Sequence, residues 1–169
     1  VNTMARFPDG WHGFNTDYDG FAYTVRRSGV DVSGKKALVF GGGGVTPTVC
    51  AVLSDLGAGE VTVISRHGEN GYDTLARHRD ARVLVNATPV GMFPNNGEKA
   101  FSPADFPGCE AVFDLVYNPS RTAVLLEAER LGITADNGLA MLVYQAARAC
   151  EIFTGEPVCE SRVEEITAE

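Results

Sequence analysis

The 169 residues suit one domain of moderate size with a single core. Hydrophobic residues make up 44% of the chain and charged residues 21%, a balance typical of globular rather than disordered proteins. The formal net charge of -8 disfavours nucleic acid and anionic membranes as partners. Four cysteines and three histidines show no zinc-site spacing, so we expect no metal and free thiols in a reducing cytoplasm. No apolar run approaches the roughly 20 residues of a membrane span.

Strands and helices alternate along the chain. After a turn-rich stretch over residues 1–16, a helix is predicted over 17–27, with Asp17 or Thr16 as its cap. Apolar runs predict strands at 37–40, 61–64, 83–85, 111–113 and 133–135. Helical spacing predicts helices at 46–56, 122–131, 140–153 and 160–167. This alternation predicts a doubly wound, Rossmann-like α/β fold, in which helices cover both faces of a parallel sheet.

One interval is shorter than such folds usually have. Between Ser65 and Val83 there is room for a short helix over 73–78, but barely for an edge strand and a second crossover. Gly68 and Gly71 favour a loop there. We therefore predict a sheet with a trimmed edge.

A run of four glycines, Gly41 to Gly44, follows the first strand of the predicted sheet and precedes a helix. In this context Gly41 permits a tight turn, and Gly43 lets the backbone approach a pyrophosphate held at the helix N-terminus. Thr46 replaces the third glycine of the usual pattern, at some cost in closeness between helix and strand. A flexible turn without a ligand is the alternative, but the position after the strand favours nucleotide binding.

The residues after the second strand indicate which nucleotide is bound. An acidic residue there would accept a hydrogen bond from the ribose 2′-hydroxyl of NAD, whereas an Arg pairs with the 2′-phosphate of NADP. This chain has Ser65 and Arg66 in that place, and no acid until Glu69. The guanidinium offers a planar fork to phosphate, so the sequence predicts NADP. A solvated surface charge is the alternative for Arg66.

Four stretches together resemble the shikimate dehydrogenase family. They are Val1-Asn2-Thr3 with Gly13 to Asp17 and Gly20; Gly41 to Gly44; Asn86 to Met92; and Asp114 to Pro119 through Thr122 to Asn137–Ala146. The family reduces 3-dehydroshikimate to shikimate with NADPH, in the pathway to chorismate and the aromatic amino acids. The resemblance implies the same activity, fold and cofactor here.

The resemblance also assigns roles to residues of this chain. Asp17 resembles the catalytic Asp. The substrate contacts of the family are matched by Asn2, Tyr117 and Gln145. Its cofactor contacts are matched by Gly41, Gly43, Gly44, Ser65, Arg66, Thr88, Gly138 and Met141, of which the last three line the nicotinamide side. Without the resemblance, Asp17 is better explained as a helix cap and Met141 as a core residue. The match of the motif around Asp17 to the family favours the catalytic role for Asp17 instead.

The resemblance implies a division of the chain into three parts. Residues 1–16 are expected to belong to a substrate-binding domain, 17–154 to form the dinucleotide-binding domain, and 155–169 to pack back toward the substrate domain. The family's catalytic Lys precedes the segment that matches Val1, and the chain opens on Val rather than Met. We therefore expect a fragment that binds NADP(H) but is inactive by itself.

Other functions stay open. The chain could be a dinucleotide-binding module without chemistry, a quinate/shikimate dehydrogenase that uses NAD, or a methylene-tetrahydrofolate dehydrogenase. Arg66 disfavours the NAD-preferring relatives, and the motifs around Asp17 and Gln145 disfavour the folate enzymes. The sequence does not choose between shikimate and quinate or fix the oligomeric state, for which a homodimer is one expectation. The shortened 65–83 interval also puts the adenine-side wall of the cofactor site in question.

Overall fold

A computed structural model describes residues 1–168. Its strands are β1 Thr3–Phe7, β2 Gly10–Phe14, β3 Lys36–Phe40, β4 Glu60–Ile64, β5 Val83–Asn86, β6 Ala111–Asp114 and β7 Thr134–Asp136. Its α-helices are α1 Thr16–Arg27, α2 Thr46–Asp55, α3 Ala123–Arg130, α4 Leu139–Thr154 and α5 Glu160–Ala168. Two 3₁₀ segments span Tyr72–His78 and Pro103–Asp105. The predicted elements after residue 17 are confirmed, with ends that shift by one or two residues.

Five of the strands form one parallel sheet in the order β4-β3-β5-β6-β7. Because successive side chains on a strand point to opposite faces, β3 contributes Val39 to one face and Leu38 and Phe40 to the other. Helices α1, α2 and α4 cover the Val39 face. The Phe40 face is covered by α3, the first 3₁₀ segment, and Phe101 and Phe106 on either side of the second one. The central strands are therefore apolar on both faces, as a doubly wound fold requires.

The trimmed edge is confirmed. Strand β4 lies at the end of the sheet and pairs only with β3 within the part of the chain that the structure describes. The chain returns to β5 through the 3₁₀ segment Tyr72–His78, in the place of the predicted helix over 73–78. The loop before this segment is closed by the Ser65 N–H, which donates to the Asn70 carbonyl at 3.0 Å.

Residues 1–16, for which the sequence predicted turns and no strands, contain regular structure. Strands β1 and β2 form an antiparallel hairpin in which Thr3 pairs with Phe14 and Phe7 with Gly10. Side chains such as Met4 and Trp11 are exposed, at 58% and 67%. A hairpin that buries so little shows no alternation of polar and apolar residues, which is the signal on which strand prediction depends.

Candidate functional site

Two cavities of about 410 Å³ each lie at the edge of the sheet where the parallel strands end. The glycine-loop cavity is lined by Gly41, Gly42, Gly43, Ser65, Arg66, His67, Tyr72, Ala87, Thr88 and Pro89. The Asp17 cavity is lined by Asn2, Asp17, Val45, Leu115, Tyr117, Gly138, Met141, Leu142 and Gln145. The carboxyl edge of an open α/β sheet is where ligands bind in such folds.

The four glycines have different reasons to be glycine. Gly41 has a φ of +118°, and a Cβ on it would lie 2.7 Å from the carbonyl oxygen of Ala87. A Cβ on Gly43 or Gly44 would meet nothing within 4 Å. Gly41 is therefore required by the fold. Gly43 leaves its backbone open to the cavity, as a phosphate contact needs.

Thr46, in the place of the third glycine, is accommodated by a hydrogen bond. Its hydroxyl donates to the Gly41 carbonyl at 2.9 Å, and the residue is buried. The side chain thus ties the first turn of α2 to the start of the loop. This hydrogen bond offsets the looser packing between helix and strand that a side chain in place of the third glycine was expected to cause.

The end of β4 brings Ser65 and Arg66 beside the glycine loop. A Cβ on Gly42 would lie 3.4 Å from the Ser65 side chain, so the two loops adjoin. Arg66 is exposed and forms no ion pair within residues 1–168. The guanidinium is therefore available to an anion entering the cavity.

In the Asp17 cavity, a buried threonine joins two of the predicted substrate contacts. Asn2 Nδ2 donates to Thr16 Oγ1 at 3.0 Å, and the Thr16 N–H donates to Asn2 Oδ1 at 2.9 Å. Thr16 Oγ1 also lies 3.3 Å from Gln145 Oε1, to which it can donate. Sequence reasoning considered Thr16 only as a helix cap, although it belongs to the motif that contains Asp17.

The capping prediction for Asp17 and Thr16 is wrong. Helix α1 begins at Thr16 with Asn15 at the N-cap position, and Asn15 makes no side-chain capping bond. Asn2 Oδ1 instead accepts the Thr16 N–H, while Asn15 Nδ2 donates to Thr48 Oγ1 of α2 at 2.9 Å. Asp17 therefore lies in the first turn and lines the cavity, which leaves its carboxylate for a ligand.

Two close backbone approaches shape the Asp17 cavity. A Cβ on Gly20 would lie 2.6 Å from the Met141 carbonyl oxygen, so this glycine lets α1 approach α4. A Cβ on Gly138 would overlap the Leu115 carbonyl oxygen. These two glycines bring Asp17 and Gln145 to the same cavity from separate helices.

Beneath the two cavities, a buried polar network joins the ends of β5 and β6. Asp114 accepts hydrogen bonds from Asn86 Nδ2, the Val116 N–H and Thr122 Oγ1, at 2.9, 3.0 and 2.6 Å. Asn86 Oδ1 in turn accepts from the N–H and hydroxyl of Thr88. Burial raises the pKa of Asp114, against the opposing effect of these donors.

This network fixes Thr88 in the glycine-loop cavity and the backbone that leads to Tyr117 in the other. Sequence reasoning gave no role to Asn86 or Asp114. Their positions as polar residues at the ends of two apolar strands are the signal that could have found them.

The remaining predicted residues are distributed between the two sites. Thr88 lines the glycine-loop cavity, whereas Gly138 and Met141, expected beside the nicotinamide, line the Asp17 cavity. Tyr117 is half exposed at the mouth of the Asp17 cavity. Gly44 is exposed at the end of the loop.

Comparisons of sequence show which known proteins this chain is similar to. The family model for the shikimate 5'-dehydrogenase C-terminal domain matches residues 138–165. A shikimate dehydrogenase (NADP(+)) of Methanopyrus kandleri is 39% identical over 92% of this chain and 62% of its own length. One from Clostridium perfringens strain SM101 is 33% identical over 100% of this chain and 67% of its own. The chain belongs to the shikimate dehydrogenase family.

Solved structures of shikimate dehydrogenases have the same fold. A chorismate mutase/shikimate 5-dehydrogenase fusion protein from Clostridium acetobutylicum superposes with a TM-score of 0.91, at 34% identity over 98% of this chain and 65% of that one. The shikimate 5-dehydrogenase of Thermus thermophilus, solved with NADP(H) and shikimate, gives 0.82 at 34% identity, over 96% and 65%. The chain thus spans about two thirds of the length of its relatives, or slightly less.

Two further features of the structure concern metal-binding clusters and membrane-spanning helices. Within residues 1–168, no group of three or more His, Cys, Asp or Glu side chains is placed to hold a metal ion. Over the same residues, no helix is long and apolar enough to cross a membrane.

Proposed function

We propose that this chain is the cofactor-binding part of an NADP-dependent shikimate dehydrogenase, which reduces 3-dehydroshikimate to shikimate. The observation that carries the proposal is the presence of two cavities at the carboxyl edge of the same sheet. One has a glycine loop and Arg66, which forms no ion pair among residues 1–168, and the other has Asp17 with Asn2 and Gln145. Relatives named shikimate dehydrogenase (NADP(+)) support the assignment.

The residues of the glycine-loop cavity fit a dinucleotide. Open space at Gly43 and Gly44 admits the pyrophosphate to the backbone N–H groups before α2, where the helix dipole favours negative charge. Ser65 and Arg66 would hold the 2′-phosphate, the guanidinium through paired hydrogen bonds. Gly41 sets the turn, and Thr88, fixed by Asn86, lies on the way to the second cavity.

The residues of the Asp17 cavity fit a small hydroxylated acid. Asn2 and Gln145 offer amide groups and Tyr117 a phenol. Gly138 and Met141 would form the side nearest the nicotinamide. The carbonyl carbon of the substrate would take up a hydride supplied by bound NADPH, and its oxygen would take up a proton to give the alcohol. Asp17 would orient and tune the group that donates this proton.

We further propose the division of the chain that the family implies. Residues 1–16, with the β1–β2 hairpin, would belong to the substrate domain, and residues 155–169 would pack back toward it; Glu169 lies outside the described residues. Within the described residues, α5 packs on α4, where Val163 is buried beside Tyr23 and Ala140. A cytoplasmic location and a homodimer stay predictions.

The test is a pair of measurements. NADPH and NADH are titrated against the 169-residue chain by fluorescence, and reduction of 3-dehydroshikimate is followed in the full-length protein by NADPH consumption. We expect NADPH to bind at least tenfold more tightly than NADH, and turnover to require 3-dehydroshikimate rather than 3-dehydroquinate. Equal binding of both cofactors, or turnover of 3-dehydroquinate alone, would contradict the proposal.

A further inference from the structure

The short connection from β4 to β5 places an aromatic residue in the glycine-loop cavity. Tyr72 is the first residue of the 3₁₀ segment, and it lines the cavity together with Arg66 and His67. A doubly wound fold of the usual length has a longer crossover at this edge. In this chain Tyr72, rather than a residue of a longer crossover, lines that side of the glycine-loop cavity.

Tyr72 is held in place by its surroundings. Its ring packs against Phe40, the last residue of β3, with centroids 6.2 Å apart and planes tilted by 39°. The Thr74 N–H and hydroxyl both donate to the Gly71 carbonyl, at 3.0 and 2.7 Å, which closes the turn around Tyr72. The ring is half-buried, so it is anchored on one side and accessible from the cavity on the other.

Arg66 is close enough to Tyr72 to influence the pKa of its phenol. Desolvation raises the pKa of Tyr72, and the positive charge of Arg66 acts in the opposite direction. The phenol thus stays neutral at physiological pH beside a permanent cation. A flat neutral ring next to a phosphate-binding guanidinium suits a base attached to a phosphorylated ribose.

The positions of the two cavities indicate which end of the dinucleotide lies beside the Tyr72 ring. The nicotinamide has to reach the Asp17 cavity, where the carbonyl is reduced, and Tyr72 does not line that cavity. The adenosine end therefore extends in the other direction, past Ser65 and Arg66. We propose that Tyr72 is the residue on which the adenine ring stacks, a recognition role supplied here by the shortened crossover.

This inference rests on the proposed function and is tested separately from it. Stacking of a base on an aromatic side chain changes affinity by about tenfold to a hundredfold. We expect Tyr72→Leu, which keeps an apolar contact with Phe40, to weaken NADPH and NADH by the same factor in this range. Tyr72→Phe, which keeps the ring, should bind both cofactors as the wild type does.

Arg66→Gln is the matched comparison, because it should weaken NADPH alone. If Tyr72 acted only by positioning Arg66, Tyr72→Leu would likewise lose affinity for NADPH and not for NADH, and the stacking role would be overturned. Unchanged binding by Tyr72→Leu would overturn it as well. No binding of NADPH by the wild type would instead overturn the proposed function, and this inference with it.

A measurement on the wild type does not depend on the stability of any variant. In the NADPH-saturated protein, nuclear Overhauser contacts are expected between the Tyr72 ring protons and the adenine ring protons, with Tyr72→Phe used for assignment. Their absence from the saturated complex would contradict the stacking arrangement.

Discussion

The two cavities differ in how the chain builds them. The glycine-loop cavity comes from three loops that each follow a neighbouring parallel strand, so strand pairing alone brings Gly43, Arg66 and Thr88 together. The Asp17 cavity draws on the hairpin, α1, the loop after β6 and α4, and its Thr16–Gln145 contact spans 129 residues. The first site is a consequence of a local motif, whereas the second depends on how helices pack.

If the two sites are built independently, a change of charge at Asp17 should stop chemistry without affecting cofactor binding. In the full-length protein, Asp17→Asn is expected to lower kcat by about 10²–10⁴-fold, the usual contribution of a proton-transfer group. NADPH affinity should stay within about twofold. Steady-state kinetics and a fluorescence titration measure the two effects.

The matched control for Asp17 is Asp19→Asn. Asp19 lies in the same turn of α1, but its carboxylate faces Arg148 at 3.5 Å. Its replacement should leave kcat almost unchanged. An equal loss in both variants would mean that Asp17 acts through general charge or helix stability.

The converse change is Gly43→Val, which should abolish NADPH binding. A side chain there enters open space in the protein, so the fold is kept, but it stands where the pyrophosphate meets the backbone. Circular dichroism checks the fold, and fluorescence titration checks binding. Gly97→Val, at another glycine with open space around it, is the control. Unchanged NADPH affinity in Gly43→Val would show that the loop is a turn without a role in cofactor binding.

Arg66→Gln sharpens the comparison within the cofactor site. Loss of a charge-assisted contact costs about 1.5–3 kcal/mol, so NADPH affinity should fall about tenfold to a hundredfold while NADH affinity stays the same. The control is Arg77→Gln, on the exposed surface of the neighbouring 3₁₀ segment. Titration of both cofactors against both variants tests the preference; a parallel loss for NADH would show that Arg66 does not read the 2′-phosphate.

Gly20→Ala tests the dependence of the Asp17 cavity on helix packing. A Cβ 2.6 Å from the Met141 carbonyl must force α1 and α4 apart, at a cost of about 1–3 kcal/mol. The better helix propensity of Ala returns about 1 kcal/mol, so a net loss of about 1 kcal/mol is expected. Urea unfolding measures it, with Gly97→Ala as control. The full-length variant should lose kcat and keep NADPH affinity; a loss of NADPH affinity would couple the two sites.

The smallest expected effect concerns Asp114, whose hydrogen bonds hold the loops that lead to both cavities. Its pKa is raised in the folded state above the usual 3.8, so the folded protein holds this proton more tightly than the unfolded chain. Its contribution to stability therefore falls as the pH rises above about 4. Asp114→Asn removes this dependence, so the variant should gain stability relative to wild type over that range.

Urea unfolding at a series of pH values measures the difference between Asp114→Asn and wild type. Thr122→Val is the comparison, because loss of a hydroxyl that donates to the carboxylate should steepen the decline with pH. A difference that does not change with pH would show that Asp114 ionises alike in the folded and unfolded chain.

Much of the fold was predictable because its signals are local. Strands buried on both faces appear as continuous apolar runs, and helices such as α4 carry apolar residues at helical spacing. The hairpin was not predicted, because exposed residues such as Met4 and Trp11 give no such signal. The site residues differ in the same way. Gly43 and Arg66 could be predicted because each directly follows a strand, whereas Asp17 was identified only through the resemblance to a family.

The sequence by itself therefore determined the order of the elements after residue 16, the trimmed edge and the place of the glycine loop, since each depends on residues near one another in the chain. Only the tertiary structure decided that Asn2 rather than Asp17 satisfies the start of α1, that Gly20 and Gly138 permit close approach, and that Asp114 links two loops. Those contacts join residues distant in the chain, and their energies depend on burial and distance. Tyr72 belongs to the same group, because its place in the cavity follows from the path of the shortened crossover.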